Sequence, residues 1–380
     1  MGIVSPLGTG LDSFERGLAS CQSALAPLTG LDLGFDKQPT VAQVRAELPA
    51  ARRLSRTDKL ALAAAREAAA GADLTGCGVA LSTTVGGLPD IPLAAVKDPR
   101  RYFRTGGFAT ARTYPASRAA DAVRDDLQLT GPSFAVSVAC ASGSMAIALA
   151  ARMIASGAVP CMLAGGSEGL CHLTLCGFNA LQALDPEPCR PFDRGRRGLN
   201  LGEGAAFLML ETLDRAHARG AHVYAVLRGW SMTNDAYHLT APHEQGAGLA
   251  ASLRGAMAMA GLQPDDIGYV NAHGTATPLN DIAETKGYEH AFAGRSTPVP
   301  VSSTKSYFGH CLGAAGALEA VVTILGLRSS TLYPTLRLAD PIESPLVDFV
   351  SGAPRRQEMR AAASVSAGFG GSNTALVFER

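Results

Sequence analysis

The stretch VSVACASGSMAIALAA, residues 136–151, places a cysteine on the joint between two patterns. Val136 to Ala139 are apolar or small, as in a fully buried strand. From Ser142 a run of Ala, Met, Ile and Leu continues without a breaker until Gly157, as in a buried helix. Cys140 falls between them. A helix N-terminus presents free N–H groups and a partial positive charge, which favour a thiolate and lower its pKa from about 8.5. The small neighbours Ala139, Ala141, Ser142 and Gly143 leave room for a reactant. The competing reading is a buried structural cysteine. Partners elsewhere in the chain decide between the two.

The same strand-to-helix joint occurs twice. VPVSSTKSYFGHCLGAAGALEA, from Val299, repeats the passage from a strand into a Gly/Ala-rich helix. GIVSPLG (2–8) has an echo in GTATPLN (274–280). LGEGAAFLMLE, ending at Glu211, has one in GFGGSNTALVFE, ending at Glu379. Four landmarks in one order predict a duplicated α/β unit, with strands and helices alternating into layered sheets. The boundary falls near residues 212–226, which gives a first half, 1–225, carrying the cysteine and a second half, 226–380. On this alignment the strand IGYVNAH (267–273) needs a counterpart before Gly2, so a first strand is expected to be missing and the start of the chain shortened. Residues 85–115, rich in Gly, Pro and Arg, read as an excursion from the first half.

Bulk composition narrows the function classes. With 380 residues and 47% hydrophobic content the chain buries a large core. Lys+Arg and Asp+Glu are equal at 33 each, which argues against a nucleic-acid binder or a polybasic membrane anchor. Eight cysteines are too few for a disulfide scaffold. No signal peptide is recognisable and no apolar run is read as a membrane span, so a reducing cytoplasm is the expected compartment. Cys171, Cys176 and His172 lack zinc-site spacing, and no metal is expected. Cys21, Cys77, Cys161, Cys189 and Cys311 are read as core or loop thiols.

Three further segments end a strand on reactive chemistry. YVNAHGTATPLND places His273, SSTKSYFGH places Lys305 and His310, and SAGFGGSN places a glycine-flanked Phe369. Open α/β sheets carry their chemistry at this edge. Two His, a Lys and a Cys at such ends point to a nucleophile with charge-stabilising partners.

Taken with VACASGS, RPFDRGRRGLNLGEGA, NAHGTATPLND, SSTKSYFGHCLGAAG and GFGGSN, the chain resembles the β-ketoacyl-acyl-carrier-protein synthases, the condensing enzymes of fatty acid and type II polyketide synthesis. It is most similar to the elongating, synthase II-like branch. The resemblance implies the thiolase fold, duplicated α/β halves in a five-layer αβαβα arrangement. It implies that Cys140 holds the acyl chain, and that the backbone N–H groups of Cys140 and Phe369 form an oxyanion hole. His273 and His310 then stabilise the malonyl-derived enolate, with Lys305 maintaining charge and imidazole orientation. It further implies that Thr275 and Thr277 line the phosphopantetheine tunnel and that Phe369 and Phe178 act as gates. Glu319 and Asn373 match positions holding a structural monovalent cation in relatives, although Glu319 equally suits bracing the active-site loops. Glu203 is read as structural. No resident cofactor is implied, since the substrate arrives on the phosphopantetheine of acyl carrier protein.

Two departures from the family pattern stand out. Gln182 lies where relatives carry a docking arginine, leaving Lys59, Arg66, Arg194, Arg196 and Arg197 as basic candidates. PASRAADAVR (115–124) is small and charged where relatives are bulky, which predicts a wider acyl pocket at the dimer interface. The expected partners are acyl carrier protein and a second subunit, as a homodimer or a heterodimer with a chain-length factor. A thiolase is the alternative enzyme, but its C-x-G position holds GFGG here. An inactive chain-length factor is the non-enzymatic alternative, but it lacks the nucleophile that Cys140 supplies.

Overall fold

A computed structural model describes residues 1–49, 54–91, 98–102, 104 and 112–380. From the N-terminus, β1 (Gly2–Ser5) and β2 (Gly8–Thr9) precede a two-stranded ribbon, β3 (Leu25–Pro27) with β4 (Thr40–Ala42). Then come β5 (Gly78–Ser82), β6 (Ser133–Val136), β7 (Cys161–Glu168) and β8 (Gly204–Glu211). The second half supplies β9 (Val226–Asn234), β10 (Ile267–Asn271), β11 (Val299–Ser302) and β12 (Thr331–Leu332). It ends with β13 (Val347–Phe349), β14 (Arg355–Arg356), β15 (Ala361–Gly368) and β16 (Ser372–Glu379). Two six-stranded sheets result, ordered β2-β1-β8-β7-β5-β6 and β13-β11-β10-β15-β16-β9.

The sheets repeat one plan. In the first, β5 runs parallel to β6 and β7, while β7–β8 and β8–β1 are antiparallel. In the second, β10 runs parallel to β11 and β15, while β15–β16 and β16–β9 are antiparallel. The matching corrects the internal alignment read from sequence. The counterpart of the strand before His273 is β5, not a strand ahead of Gly2. β1 is itself a fully buried strand, and its counterpart is β9. It pairs with β8 only through Gly2–Val4, whereas β9 pairs along the whole of β16. The GIVSPLG and GTATPLN echo therefore joins segments that are not equivalent in the fold.

Helices form three layers, which with the two sheets make five. Arg56–Ala69 and Ser117–Asp126 cover the outer face of the first sheet. Ser142–Ala155 and Ala315–Ser329 lie between the sheets, and Ala247–Ala260 with Pro278–Ala291 cover the far face of the second. The central helices are apolar almost all round because both sides meet a sheet. Among the described residues one apolar run is long enough to cross a membrane, Leu312–Ser329, which the sequence reading did not single out; 89% of it is buried, as befits a core helix.

Those two central helices start face to face. A Cβ on Gly143 would sit 2.6 Å from the Ala317 nitrogen, and one on Gly316 would sit 2.7 Å from the Ser144 nitrogen. Only hydrogen on those Cα atoms permits so close a crossing. The strand ends that precede the helices, one from each half, are thereby drawn together.

Within Ser117–Asp126, Ala119 and Ala120 are 1% and 0% exposed and pack in the core cluster with Leu60, Ala64 and Val79. The helix Arg56–Ala69 packs against this one, and neither alanine lines the cavity around Cys140. Part of the excursion expected at 85–115 lies outside the described residues.

Candidate active site

The strand β6 ends at Val136, three residues earlier than the apolar pattern suggests. Ala139 takes φ 50°, a left-handed turn, before the helix begins at Ser142. The Ser142 hydroxyl secures the turn, accepting from the Val138 N–H at 2.8 Å and donating to the Ala139 carbonyl. Cys140 thus sits on a sharp elbow above the sheet.

A cavity of about 330 Å³ opens there, lined by Cys140, His273 and His310 together with Thr275, Thr277, Phe178, Phe369 and Asn373. The two halves therefore contribute to one site. The His273 and His310 rings stand edge to face with centroids 5.3 Å apart. Thr275 and Thr277 share a hydroxyl hydrogen bond of 2.9 Å on the cavity wall. Phe178 and Phe369 stack at 5.7 Å, one from each half. Phe369 is 38% exposed and precedes Gly370 and Gly371, both at φ near 80°, so its loop takes a path that favours glycine. A Cβ on Gly368 would stand 3.1 Å from the Cys140 nitrogen, which puts this loop directly against the nucleophile.

Lys305 lies behind the histidines, only 1% exposed. Its ammonium donates to the His273 carbonyl and forms an ion pair with Glu319, and its Nζ lies 3.4 Å from His273 Nδ1. His310 Nδ1 accepts the Leu312 N–H at 3.3 Å. An ammonium and an amide N–H are donors only, so both Nδ1 atoms accept and both rings carry their proton on Nε2. Burial and the Lys305 charge hold both imidazoles well below their ordinary pKa, with His310 adding to the effect on His273. Two neutral rings with Nε2–H donors are the result.

The cysteine departs from the sequence-based expectation. Burial pushes the Cys140 thiol up to about 12, and Lys305 pulls it down only in part. Desolvation outweighs the helix N-terminus, so the resting group is a thiol, not a thiolate.

Glu319 and Asn373 have different partners. Glu319 braces Lys305, and burial pushes its carboxyl up to about 7. The Asn373 amide donates to Asp235 at 2.9 Å and to the Gly371 carbonyl at 3.0 Å. Among the described residues no three His, Cys, Asp or Glu side chains gather as metal ligands. Glu203 holds the Val44 and Leu170 N–H groups and pairs with Arg56 at 2.6 Å, which is a structural engagement.

Two buried acids went unrecognised in the sequence. Glu284 accepts the backbone N–H groups of His273 and Gly274, both at 2.7 Å, and the Tyr288 hydroxyl at 2.6 Å. Glu168, at the end of β7, accepts from Thr83, Thr84 and Val85, and from the Gly313 N–H at 2.7 Å. One fixes the loop after His273, the other the loop after His310. Glutamates closing an apolar strand (GGSE) or facing inward on a helix (IAETKGY) were the available signals.

Comparison with known proteins agrees with this geometry. Residues 1–216 match the family model of the beta-ketoacyl synthase N-terminal domain, and residues 224–339 match that of its C-terminal domain. The chain is 35% identical over 410 aligned positions to the 3-oxoacyl-[acyl-carrier-protein] synthase 2 of Staphylococcus aureus, covering 100% of this chain and 97% of that protein. Among solved structures, the ishigamide ketosynthase/chain length factor superposes with TM-score 0.91 at 29% identity, over 100% of this chain and 97% of that one. A type II polyketide acyl-carrier protein in complex with its ketosynthase bound to the hexaketide gives TM-score 0.88 at 28% identity, over 100% and 97%. A cysteine elbow, two neutral histidines and a buried lysine at the meeting of two duplicated halves thus accompany a full-length family match: the chain belongs to the β-ketoacyl synthases, an acyltransferase of the thiolase fold similar to the synthase 2 enzymes.

Proposed function

We propose that this chain catalyses the decarboxylating condensation of an acyl group held on Cys140 with malonyl-acyl carrier protein, giving a 3-oxoacyl-acyl carrier protein. The observation that carries the reading is the single cavity shared by Cys140, His273 and His310. Cys140 attacks the acyl thioester, and its proton passes to the departing pantetheine sulfur, so one thiol replaces another. The malonyl unit then loses carbon dioxide, and the electron pair of the broken C–C bond becomes an enolate. The Nε2–H groups of His273 and His310 donate to the enolate oxygen, where charge develops. The enolate carbon attacks the acyl carbonyl, the backbone N–H groups of Cys140 and Phe369 receive the oxyanion, and the Cys140 sulfur departs and takes a proton. Lys305 is a positioning residue, fixing the His273 tautomer through Nδ1.

Carrier-protein docking belongs to the same reading, but the basic candidates are largely engaged. Arg66 pairs with Asp126, Arg194 with Asp340 and Glu343, and Arg197 with Asp185. Arg196 donates to the Thr277 and Pro278 carbonyls at the cavity lip. Lys59 is half-buried. The mouth instead shows Leu181, Leu279 and Phe369, all exposed. We read this apolar rim as the carrier contact. Eight free thiols suit a reducing, cytoplasmic setting.

Intact-mass spectrometry tests the division of labour. Cys140→Ala is expected to lose all acyl loading from acyl carrier protein. His273→Ala and His310→Ala should keep loading while malonyl decarboxylation slows roughly 100-fold, the scale of losing an oxyanion donor. Wild-type decarboxylation in both histidine variants would overturn the assignment.

A further inference from the structure

We propose that Cys77 and Cys161 form a redox pair that closes to an interstrand disulfide under a two-electron oxidant of the peroxide class. β5 and β7 are parallel neighbours with Gly78 opposite Met162, so one residue earlier Cys77 stands beside Cys161. Adjacent strands lie about 4.8 Å apart, inside the Cα separation of roughly 4.4–6.8 Å that a disulfide spans. Cys77 Sγ reaches the Gly78 carbonyl at 3.4 Å and Cys161 Sγ the Asp73 carbonyl at 3.8 Å, so both thiols are held at the same end of the paired strands.

Their surroundings are unequal, as such chemistry requires. The neighbouring Cys77 thiol and the Arg215 guanidinium hold Cys161 below the ordinary thiol range, while its partner and burial drive Cys77 far above it. Arg215 and Asp73 close the pair off from solvent with an ion pair of 2.7 Å, and their side chains are 23% and 51% exposed. Cys77 and Cys161 are themselves fully buried, so an oxidant must reach them past this ion pair. The Cys161 thiolate attacks one peroxide oxygen, breaking the O–O bond and giving a sulfenic acid and hydroxide. The Cys77 thiol then attacks the sulfenic sulfur and displaces its oxygen, which leaves as water once it takes the Cys77 proton. The condensing site lies at the other end of these strands, about 17 Å away along the five residues of β5. Closure would tie two central strands of the first sheet at their end away from Cys140.

The full-length chain is treated with hydrogen peroxide and mapped by non-reducing peptide mass spectrometry, with exposed Cys176 as an internal control for oxidation. The expected product is a Cys77–Cys161 linked peptide lighter by two hydrogens than the sum of its parts. Cys77→Ser should instead leave a sulfenic acid on Cys161, trapped by dimedone. Arg215→Ala should slow closure severalfold. Folded protein with Cys176 fully oxidised and no Cys77–Cys161 peptide would overturn the proposal, and because this measurement uses the unmodified chain, it does not depend on any variant folding.

Discussion

At the scale of single residues, the site works by keeping charge away until the reaction creates it. Cys140 rests as a thiol because burial costs the thiolate more than Lys305 returns, and both histidines rest neutral because burial and the Lys305 charge act together against imidazolium. The pH behaviour follows with a definite sign. Histidines of ordinary pKa, near 6.5, would be half protonated there and would lose their Nδ1 acceptors. Held well below that value, they remain neutral as pH falls from 8 to 6.5. Protonation of Glu319 near pH 7 uncovers the Lys305 charge, which disfavours imidazolium further. Malonyl decarboxylation is therefore expected to be flat from pH 8 to 6.5, and a twofold fall by pH 6.5 in stopped-flow assays would contradict the assignment. Alkylation of Cys140 by iodoacetamide should rise about tenfold per pH unit between 7 and 9, following the thiolate fraction. Lys305→Met should slow it at every pH, since the lost cation was pulling the thiol downward. These groups were legible in sequence by type and position. Their protonation was not, because desolvation depends on residues distant in the chain.

At the scale of elements, apolar runs and breakers located most of what mattered: the helix after Cys140, its twin after His310 and the glycine loop bearing Phe369. The error in aligning the halves has a physical origin. GIVS and GVALS are both short apolar strands, and nothing local distinguishes an antiparallel position beside β8 from a parallel one beside β7. The small residues at 115–124 are equally ambiguous in sequence, since alanine suits a tight helix–helix contact as well as a roomy pocket. Glu168 and Glu284 were overlooked because the N–H groups they hold come from loops that only the fold brings near. The crossing at Gly143 and Gly316 decides whether those loops meet. Gly316→Ala would place a methyl 2.7 Å from the Ser144 nitrogen and force the helices apart, an overpacking cost of about 1–3 kcal/mol. We expect a lower melting temperature by calorimetry, with acyl loading and decarboxylation falling together because both halves of the site move. A full loss of one with the other intact would mean the two loops are positioned independently.

At the scale of the molecule, the two sheets differ at one edge. In the second sheet β13 covers β11, but in the first no strand among the described residues pairs with the outer side of β6, and Ser133 to Ala135 are only partly buried. A short strand with a bare edge, four residues from the nucleophile, invites pairing with another chain. Two copies meeting there would join their sheets and place each elbow against the partner. Solved structures similar to this fold include ketosynthases paired with a chain length factor. We therefore expect a dimer through β6, homodimeric when the chain is expressed alone. The ladder shows how to test it without disturbing the monomer. The Val79 and Thr83 N–H groups donate to the Pro132 and Val136 carbonyls, and the Gly131 N–H donates to Cys77. This alternation turns the Phe134 N–H toward β5 and leaves the Ala135 N–H facing away from it. Ala135→Pro removes that outward donor, which an edge strand tolerates, whereas Ala135→Ser keeps the N–H and changes only the side chain. Light scattering at micromolar concentration should show a dimer for the native chain and for Ala135→Ser, and a monomer for Ala135→Pro. A monomeric native chain with full condensing activity, or an Ala135→Pro variant that still dimerises, would move the interface elsewhere.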